Sequence, residues 1–411
     1  MTQLSFTVLK NKNFRLLLLT RMFALTAMQA QAVIVGWQVY ELTGSALMLG
    51  LTGLAEAVPA IGCALFAGHF VDTHHPRRIY ALCLGGLAMN TLVLFVLAGG
   101  IVDIHDNPLL IVIFGGIIAS GFIRSFIAPS TFALLPMLVS RENYSAATSW
   151  QTAGHQVAFI GGPAMGGLIY GGYGAGGAWF LAFFLMAIAA VLALALKIKD
   201  ERKREAVRPP ALKSITEGWR FLLNNRALLS IMGLDMLAVL FGGAIAILPA
   251  FADQVLGVGA EGLGILRAAP AAGAILVALW FAVYPMRKIT AMRMLVVVAG
   301  FGIAMIGFGL STSFMAALFF LSLSGAFDSV SMVIRGTLTQ ILTPDNMKGR
   351  VSAVNSMFII SSNEIGAFES GVAAAVFGLV PSILIGGIGT LVVVGAVAVL
   401  SPSFRKLKME T

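Results

Sequence analysis

Twelve apolar runs, each long enough to cross a bilayer, dominate this sequence. A helix needs about 20 apolar residues to span the hydrocarbon core, and turn residues and charges separate the runs. The runs lie at 14–40, 46–70, 79–101, 108–135, 146–171, 177–196, 227–255, 262–285, 293–312, 314–340, 350–379 and 382–403. Charged residues make up only 11% of the chain, against about 25% in soluble domains. The sequence therefore predicts an all-α membrane protein with twelve transmembrane helices, and it excludes a soluble enzyme or a nucleic-acid binder.

The basic residues predict how the chain is oriented. All but four of the 27 Lys and Arg residues lie in the two tails or in alternate loops. Because Lys and Arg collect on the cytoplasmic side, we expect both termini in the cytoplasm and a multi-pass protein of a bacterial-type cytoplasmic (inner) membrane. We expect no signal peptide, because no small-residue cleavage site follows the first run. Cys63 and Cys83 lie in apolar runs, which predicts no disulfide.

The longest loop divides the chain into two halves. The predicted segments are an N-terminal six-helix bundle, a cytoplasmic linker and a C-terminal six-helix bundle, at 1–196, 197–226 and 227–411. Four apolar residues of the linker share one helical face: Leu212, Ile215, Trp219 and Leu222. This pattern is typical of a helix that lies in the membrane interface.

The two halves resemble each other. The stretch Leu42–Gly50 matches Leu256–Gly264 at an offset of 214, and Leu138–Asn143 matches Ile341–Asn346 at an offset of 203. Internal repeats of this size are typical of secondary transporters. The sequence therefore predicts two pseudo-symmetric six-helix bundles around a central path.

A glycine, an aspartate and a basic pair stand in the loop between the second and third runs: Gly68, Asp72, Arg77 and Arg78. Their spacing resembles the signature of the major facilitator superfamily at this loop. The resemblance implies the major facilitator fold and a loop that latches the two halves on the cytoplasmic side. Thr73 stands where the family usually has Arg. The alternative is a solvated loop without a latch.

A second motif lies in the fifth run and consists of Gly162, Pro163, Gly166 and Gly167. It resembles the antiporter motif of the same superfamily, Gly-Pro-x-x-Gly-Gly. The resemblance implies export by antiport. The alternative is ordinary packing of small residues between helices.

Three further stretches resemble the branch of the superfamily that contains the enterobactin exporter and the macrolide efflux pumps: Tyr40–Ala46, Leu256–Gly264 and Asp345–Arg350. This branch transports varied substrates, so the resemblance implies export more strongly than any particular cargo. Cationic drugs and anionic chelators both remain open. The family default is a monomer.

Nine Asp, Glu, Lys or Arg residues lie inside the runs and more than two residues from either end: Arg21, Glu56, Arg124, Asp235, Arg267, Asp328, Arg335, Glu364 and Glu369. Each costs about 2.5–3.5 kcal/mol at the bilayer centre, so each should face a cavity or a partner. The resemblance implies that spans one, four, seven and ten line the central cavity, while two, five, eight and eleven join the halves. All nine residues fall in these eight spans.

Asp328 is our first candidate for a proton carrier, with Glu56 and Glu364 behind it. Asp328 and Arg335 are seven residues apart, which places them on one helical face about 10 Å apart. Desolvation raises the pKa of a carboxyl group and a nearby arginine lowers it, and a group so balanced can bind and release a proton. The alternative is a static ion pair that only orders the bundle.

Six residues are predicted to line the substrate cavity: Gln31, Gln38, Arg124, Phe241, Phe327 and Arg335. Arg124 would pair with a carboxylate or with an anionic group of the substrate, whereas helix packing is the alternative for the two phenylalanines. Arg21 and Asp235 correspond at the offset of 214. Our hypothesis is that these two residues pair as a gate when the cytoplasmic side is closed.

These observations predict an exporter that moves a small amphipathic compound, a drug-like molecule or a siderophore, through the lipid bilayer in exchange for protons. The alternatives are an importer or facilitator of the same fold and a non-transporting membrane ligand sensor. A membrane enzyme would need a convergent catalytic set, and His69, His74 and His75 form the one cluster of that kind. None of the glycine-rich stretches ends in the Gly-Lys-Ser/Thr of a phosphate-binding loop, so we do not expect this chain to hydrolyse ATP. We expect no cofactor, no metal site and no nucleic-acid partner.

Overall fold

A computed structural model describes residues 6–102, 104–197, 211–284, 288–344, 347–401 and 408–410. Helices account for nearly all of these residues. The α-helices are α1 Lys12–Thr43, α2 Ala46–Thr73, α3 Pro76–Ala98, α4 Asp106–Arg124, α5 Ile127–Leu138, α6 Tyr144–Ala195, α7 Ala211–Asn224, α8 Arg226–Phe241, α9 Leu248–Gln254, α10 Ala260–Val283, α11 Ala291–Gly309, α12 Phe314–Leu342, α13 Lys348–Phe377 and α14 Leu379–Leu400. Two short 3₁₀ helices cover Phe6–Lys10 and Arg141–Asn143.

Nine helices of the described residues are long and apolar enough to cross a membrane. One of them, α6, bends at Gly174, where a φ of 68° breaks the helical backbone, so its arms 144–173 and 175–195 are two spans. The break raises the number of spans from nine to ten. Two more spans, α8 together with α9 and the 30-residue α13, complete the twelve transmembrane helices that the sequence predicts. The all-α fold class is confirmed.

A pair of short strands interrupts the helical pattern. Strand β1, Lys288–Thr290, pairs antiparallel with β2, Lys408–Glu410, and Ile289 lies opposite Met409. The apolar runs gave no sign of these strands, because three residues are too few to produce a recognisable alternation.

The described chain forms two compact units. The first contains Met1–Thr43, Ala55–Arg208 and Gly259–Ala268, and the second contains Gly44–Leu54, Pro209–Val258 and Ala269–Thr411. The start of α10 therefore belongs to the first unit and the rest of α10 to the second. The start of α2 belongs to the second unit and the rest of α2 to the first. The predicted segment boundaries around 197–226 stay a prediction, since 198–210 lie outside the described residues.

Glycines set the same helix contact in both units. A Cβ atom on Gly162 would stand 2.8 Å from the carbonyl oxygen of Thr26, and one on Gly366 would stand 2.7 Å from that of Leu240. The residue numbers differ by 204 for the glycines and by 214 for their partners, as expected for a repeat. Side chains at either position would force the helix backbones apart.

A second pair of glycines repeats in the same way. Gly121 of α4 lies against the backbone of Glu56 in α2, and a Cβ there would stand 3.0 Å from the Glu56 carbonyl carbon. Gly325 of α12 meets the backbone of Pro270 in α10 at the corresponding position. The internal repeat is therefore visible in individual contacts within each unit.

Apolar side chains fill the interior of each unit. In the first unit, α1, α3 and α6 meet around Phe14, Leu84 and Met186. In the second unit, α8, α11 and α12 meet around Ile231, Met294 and Ile334. Dispersion contacts between such side chains drive helix association in a bilayer, where the hydrophobic effect between helices is absent.

The linker helix α7 packs against α13 and α8. Leu222 is buried with Val351 and Val354, and the Trp219 ring lies 5.2 Å from the Phe358 ring. The predicted apolar face of this helix is therefore used for contacts within the protein at these two residues. The side chains of Leu212 and Ile215 lie outside the described residues.

Candidate functional site

Charged side chains inside the spans form the candidate site. Eight of the nine contact a polar partner in the described chain, and the ninth is Asp328. Arg267 donates to the Ala32 carbonyl oxygen over 3.2 Å, and Glu369 hydrogen-bonds with the adjacent Ser370. Glu364 is also engaged in an interaction, and one of its carboxylate oxygens lies close to the backbone of Gly53.

Glu56 and Arg124 form an ion pair in the first unit. The backbone contact at Gly121 explains this ion pair, because Gly121 brings α4 against α2 one turn before Arg124. The Arg124 side chain is 23% exposed and the Glu56 side chain 36% exposed. The Nε of Arg124 is buried and lacks a hydrogen-bond partner among the described residues, so the guanidinium has donor capacity that Glu56 does not use.

Asp235 and Arg335 form an ion pair in the second unit. Both side chains are buried, at 8% and 9% exposed. Arg335 was predicted to line the substrate cavity, whereas the structure buries it against α8. Removing one partner of such a pair leaves an uncompensated buried charge, so the pair holds α8 and α12 together.

Asp328 stands apart from these pairs. It lies on α12 three residues after Gly325, as Arg124 lies three residues after Gly121, and it is partly buried. Within the described chain, no side chain forms an ion pair or a hydrogen bond with its carboxylate. The nearby Arg335, which was expected on the same helical face, is paired with Asp235.

The two glutamines predicted in the cavity are buried packing residues. The Gln31 amide donates to the Thr91 hydroxyl over 2.6 Å. The Gln38 amide donates to the Ala98 carbonyl over 2.7 Å and accepts from the Trp179 indole over 2.8 Å. Both amides are therefore used between α1 and its neighbours α3 and α6, and we leave them out of the proposed cavity.

The two cavity phenylalanines also contact neighbouring helices. The Phe327 ring covers Gly300 of α11, where a Cβ would stand 2.7 Å from the ring, and the Phe241 ring covers Gly389 of α14. These contacts favour the packing alternative for both residues.

The gate candidates each have a partner within their own unit. Arg21 donates to the Gln151 side-chain oxygen, and Asp235 pairs with Arg335. Pairing of Arg21 with Asp235 stays a prediction. Sequence reasoning missed Gln151, although Gln151 and His155 are four residues apart and thus form one polar face in an apolar run.

The loop motif is only partly visible. The Asp72 side chain lies outside the described residues, and Arg78 is exposed. Arg77 donates to the Leu194 carbonyl oxygen over 3.1 Å, which caps the end of α6. No atom of the described residues lies within 4 Å of where a Cβ on Gly68 would stand, so this glycine marks no close helix contact among them.

The predicted antiporter motif lies where α6 crosses α1 and the start of α10. A Cβ on Gly166 would stand 2.9 Å from the carbonyl oxygen of Ala30, and one on Gly167 would stand 2.7 Å from the Cα of Gly264. In turn, a Cβ on Gly264 would stand 2.6 Å from the carbonyl oxygen of Pro163. The motif therefore serves close helix packing in the first unit.

The fold and these motifs agree with comparisons to known proteins. The family model of the Major Facilitator Superfamily matches residues 17–367. The chain belongs to the major facilitator superfamily. It is similar to "Enterobactin exporter EntS" of Shigella boydii serotype 4 (strain Sb227), at 26% identity over 92% of this chain and 89% of that protein. The same-named protein of Citrobacter koseri (strain ATCC BAA-895) is also 26% identical, over 94% of this chain and 91% of that protein.

Solved structures of other major facilitator transporters share the fold. A nucleoside transporter NupG variant superposes with a TM-score of 0.73 at 12% identity, over 95% of this chain and 100% of the other. A bacterial homologue of the iron transporter ferroportin superposes with a TM-score of 0.73 at 15% identity, over 94% and 99%. This chain is therefore a major facilitator transporter and not an enzyme.

Proposed function

We propose that this transporter is a secondary active exporter that moves a small amphipathic compound out of the cytoplasm by alternating access, in exchange for protons. The relatives are named as exporters, and the Gly162–Gly167 stretch resembles the antiporter motif. The basic loops support the bacterial inner membrane as the proposed setting, with both termini cytoplasmic. We propose a monomer with six-helix bundles at 1–196 and 227–411.

The carboxylate of Asp328, which has no partner among the described residues, carries the proton-coupling part of the proposal. A charged carboxylate inside a span is unfavourable unless it has a partner, and Asp328 has none among the described residues. Proton binding removes this charge, so its protonation state and the stability of each conformation are linked. Glu56 and Glu364 rank behind it because each already has a partner.

The test is transport in liposomes that contain the purified full-length protein. An imposed pH gradient would drive labelled lipophilic cations, macrolides or siderophores, and flux would be compared with and without the gradient. We expect gradient-driven flux in the wild type and its loss in Asp328→Asn. The matched control is Glu369→Gln, which removes a carboxylate that already has a hydroxyl partner and should keep the flux.

Two results would contradict the proposal. Flux of the same compounds that ignores the pH gradient would indicate facilitation or another coupling ion. Equal loss of flux in Asp328→Asn and Glu369→Gln would indicate that carboxylates in this fold are structural, and the special role of Asp328 would be wrong.

A further inference from the structure

A cluster of polar side chains surrounds Arg21 in the first unit. It consists of Arg21 from α1, Tyr80 from α3, and Gln151 and His155 from α6, and we refer to it as the Arg21 cluster. Arg21 donates to the Gln151 side-chain oxygen. Tyr80 lies in the buried cluster against which Met22, the neighbour of Arg21, packs, and His155 follows Gln151 by one turn of α6.

The local sequence explains why the cluster forms. Gly154 of α6 lies against α1, where a Cβ would stand 2.8 Å from the Cγ of Met22 and 3.3 Å from a methyl group of Leu18. Close approach of the two helices at this point places Gln151, one turn before Gly154, against Arg21, which precedes Met22. The cluster is thus built into the crossing of α1 and α6.

Two other arginines inside the spans, Arg124 and Arg335, have carboxylate partners, and Arg21 differs from them. Arg124 faces Glu56 and Arg335 faces Asp235, so each of these charges is neutralised. Among the described residues, the partner of Arg21 is the neutral amide of Gln151. Within the described part of the chain, the positive charge of Arg21 therefore has no counter-charge, which is unfavourable in a low-dielectric environment.

The cluster also has more donors than acceptors. A guanidinium offers five N–H groups and accepts no hydrogen bond. The Gln151 amide nitrogen is buried and has no hydrogen-bond acceptor within the described part of the chain. A carboxylate, which only accepts hydrogen bonds and carries a negative charge, matches both the donors and the charge.

An aromatic surface lies one to two turns after Gln151 along α6. The His155 ring stacks on the Phe159 ring with 4.2 Å between their centroids and 21° between their planes. Both side chains are partly exposed. Such a surface favours an aromatic ring next to the charged group of a ligand.

We propose that the Arg21 cluster binds the carboxylate of an aromatic acid, and that the transported compounds include organic anions of this class. This inference rests on the proposed function, because the proposed export sets the direction in which a bound anion would move. Arg21 lies nine residues after the start of α1, about 14 Å along the helix. The proposed orientation places this end of α1 toward the cytoplasm, where an exported compound enters.

The test is equilibrium binding to the purified full-length protein in phosphatidylcholine nanodiscs, with no pH gradient. Salicylate is the anionic probe and salicylamide is its uncharged counterpart. We expect the wild type to prefer salicylate, and Arg21→Gln to weaken salicylate binding on the order of tenfold to a hundredfold. Arg21→Lys should fall in between, because it keeps the charge but loses the planar fork. Neither variant should change salicylamide binding.

Arg15→Gln is the matched control, since Arg15 lies on the same helix and is exposed. It should bind salicylate as the wild type does. Equal binding of the two probes by the wild type, no salicylate binding, or unchanged binding by Arg21→Gln would overturn the proposal. Loss of salicylate binding in phosphatidylglycerol nanodiscs would assign the site to a lipid headgroup and would overturn it as well.

The outcome is separable from that of the transport test. Binding needs no gradient and no Asp328, so Asp328→Asn should bind salicylate normally. Charge-selective binding without any flux would refute the exporter and keep the anion site. Gradient-driven flux of other compounds without salicylate binding would keep the exporter and refute the site.

Discussion

Asp235→Asn should destabilise the protein far more than Glu56→Gln. Both changes remove one carboxylate from an arginine inside the spans. The Asp235–Arg335 side chains are 8% and 9% exposed, so Asp235→Asn leaves a buried guanidinium without a counter-charge, which costs about 3–5 kcal/mol. Glu56 and Arg124 are 36% and 23% exposed, so the Arg124 guanidinium that Glu56→Gln leaves behind is less buried than Arg335, and we expect a smaller loss.

The free energy of unfolding, measured by titration of detergent-solubilised protein with SDS, tests this difference. The double variant Asp235→Asn/Arg335→Gln should recover most of the loss, because the stranded charge is removed with its partner. A loss for Asp235→Asn below about 1 kcal/mol, or one equal to that of Glu56→Gln, would show that burial does not set the strength of these pairs.

The same pair gives a test of the gate hypothesis. If Arg21 and Asp235 form a functional pair, exchanging them as Arg21→Asp/Asp235→Arg should restore the transport that each single change removes. The structure favours the opposite outcome, because Asp235→Arg would place a second guanidinium against Arg335. Restored flux in the exchanged protein would therefore refute the structural role of Asp235.

Three further predictions follow from the packing. Gly167→Leu should prevent folding or halve the yield of monodisperse protein in size-exclusion chromatography, because a side chain there meets backbone atoms, whereas Gly172→Ala should behave as the wild type since its Cβ meets open space. Trp179→Phe should lower the free energy of unfolding by about 1–3 kcal/mol, because it leaves the buried Gln38 oxygen without its donor. Glu217→Gln should change it by about 1 kcal/mol or less in the same assay, because the side chains of its ion pair with Arg350 are 36% and 33% exposed.

The span count, the family and the two repeats could be predicted from the sequence. Hydropathy runs and basic loops are local signals, and they are strong because lipid requires every backbone group to be bonded within the helix. The close helix contact at Gly162 was the alternative interpretation of that motif, since small residues report directly on helix contact, and its antiporter role stays a prediction. The short strands lacked such a signal, whereas the break at Gly174 falls in the gap predicted between the runs 146–171 and 177–196.

The partners of individual side chains could not be predicted in the same way. The first run is apolar nearly all around, so the sequence does not indicate that Gln31 and Gln38 face α3 and α6. The repeat places Arg21 and Asp235 at corresponding positions, but correspondence does not imply contact. Charge pairing depends on distances between helices that only the folded structure provides.

The matching contacts at Gly121 and Gly325 suggest that the ion pair of one repeat can be transplanted into the other. In the first repeat, the glycine brings Glu56 and Arg124 together, and the corresponding residues of the second repeat are Pro270 and Asp328. In a variant that carries Pro270→Glu and Asp328→Arg, we therefore expect the two new side chains to form the same ion pair between α10 and α12.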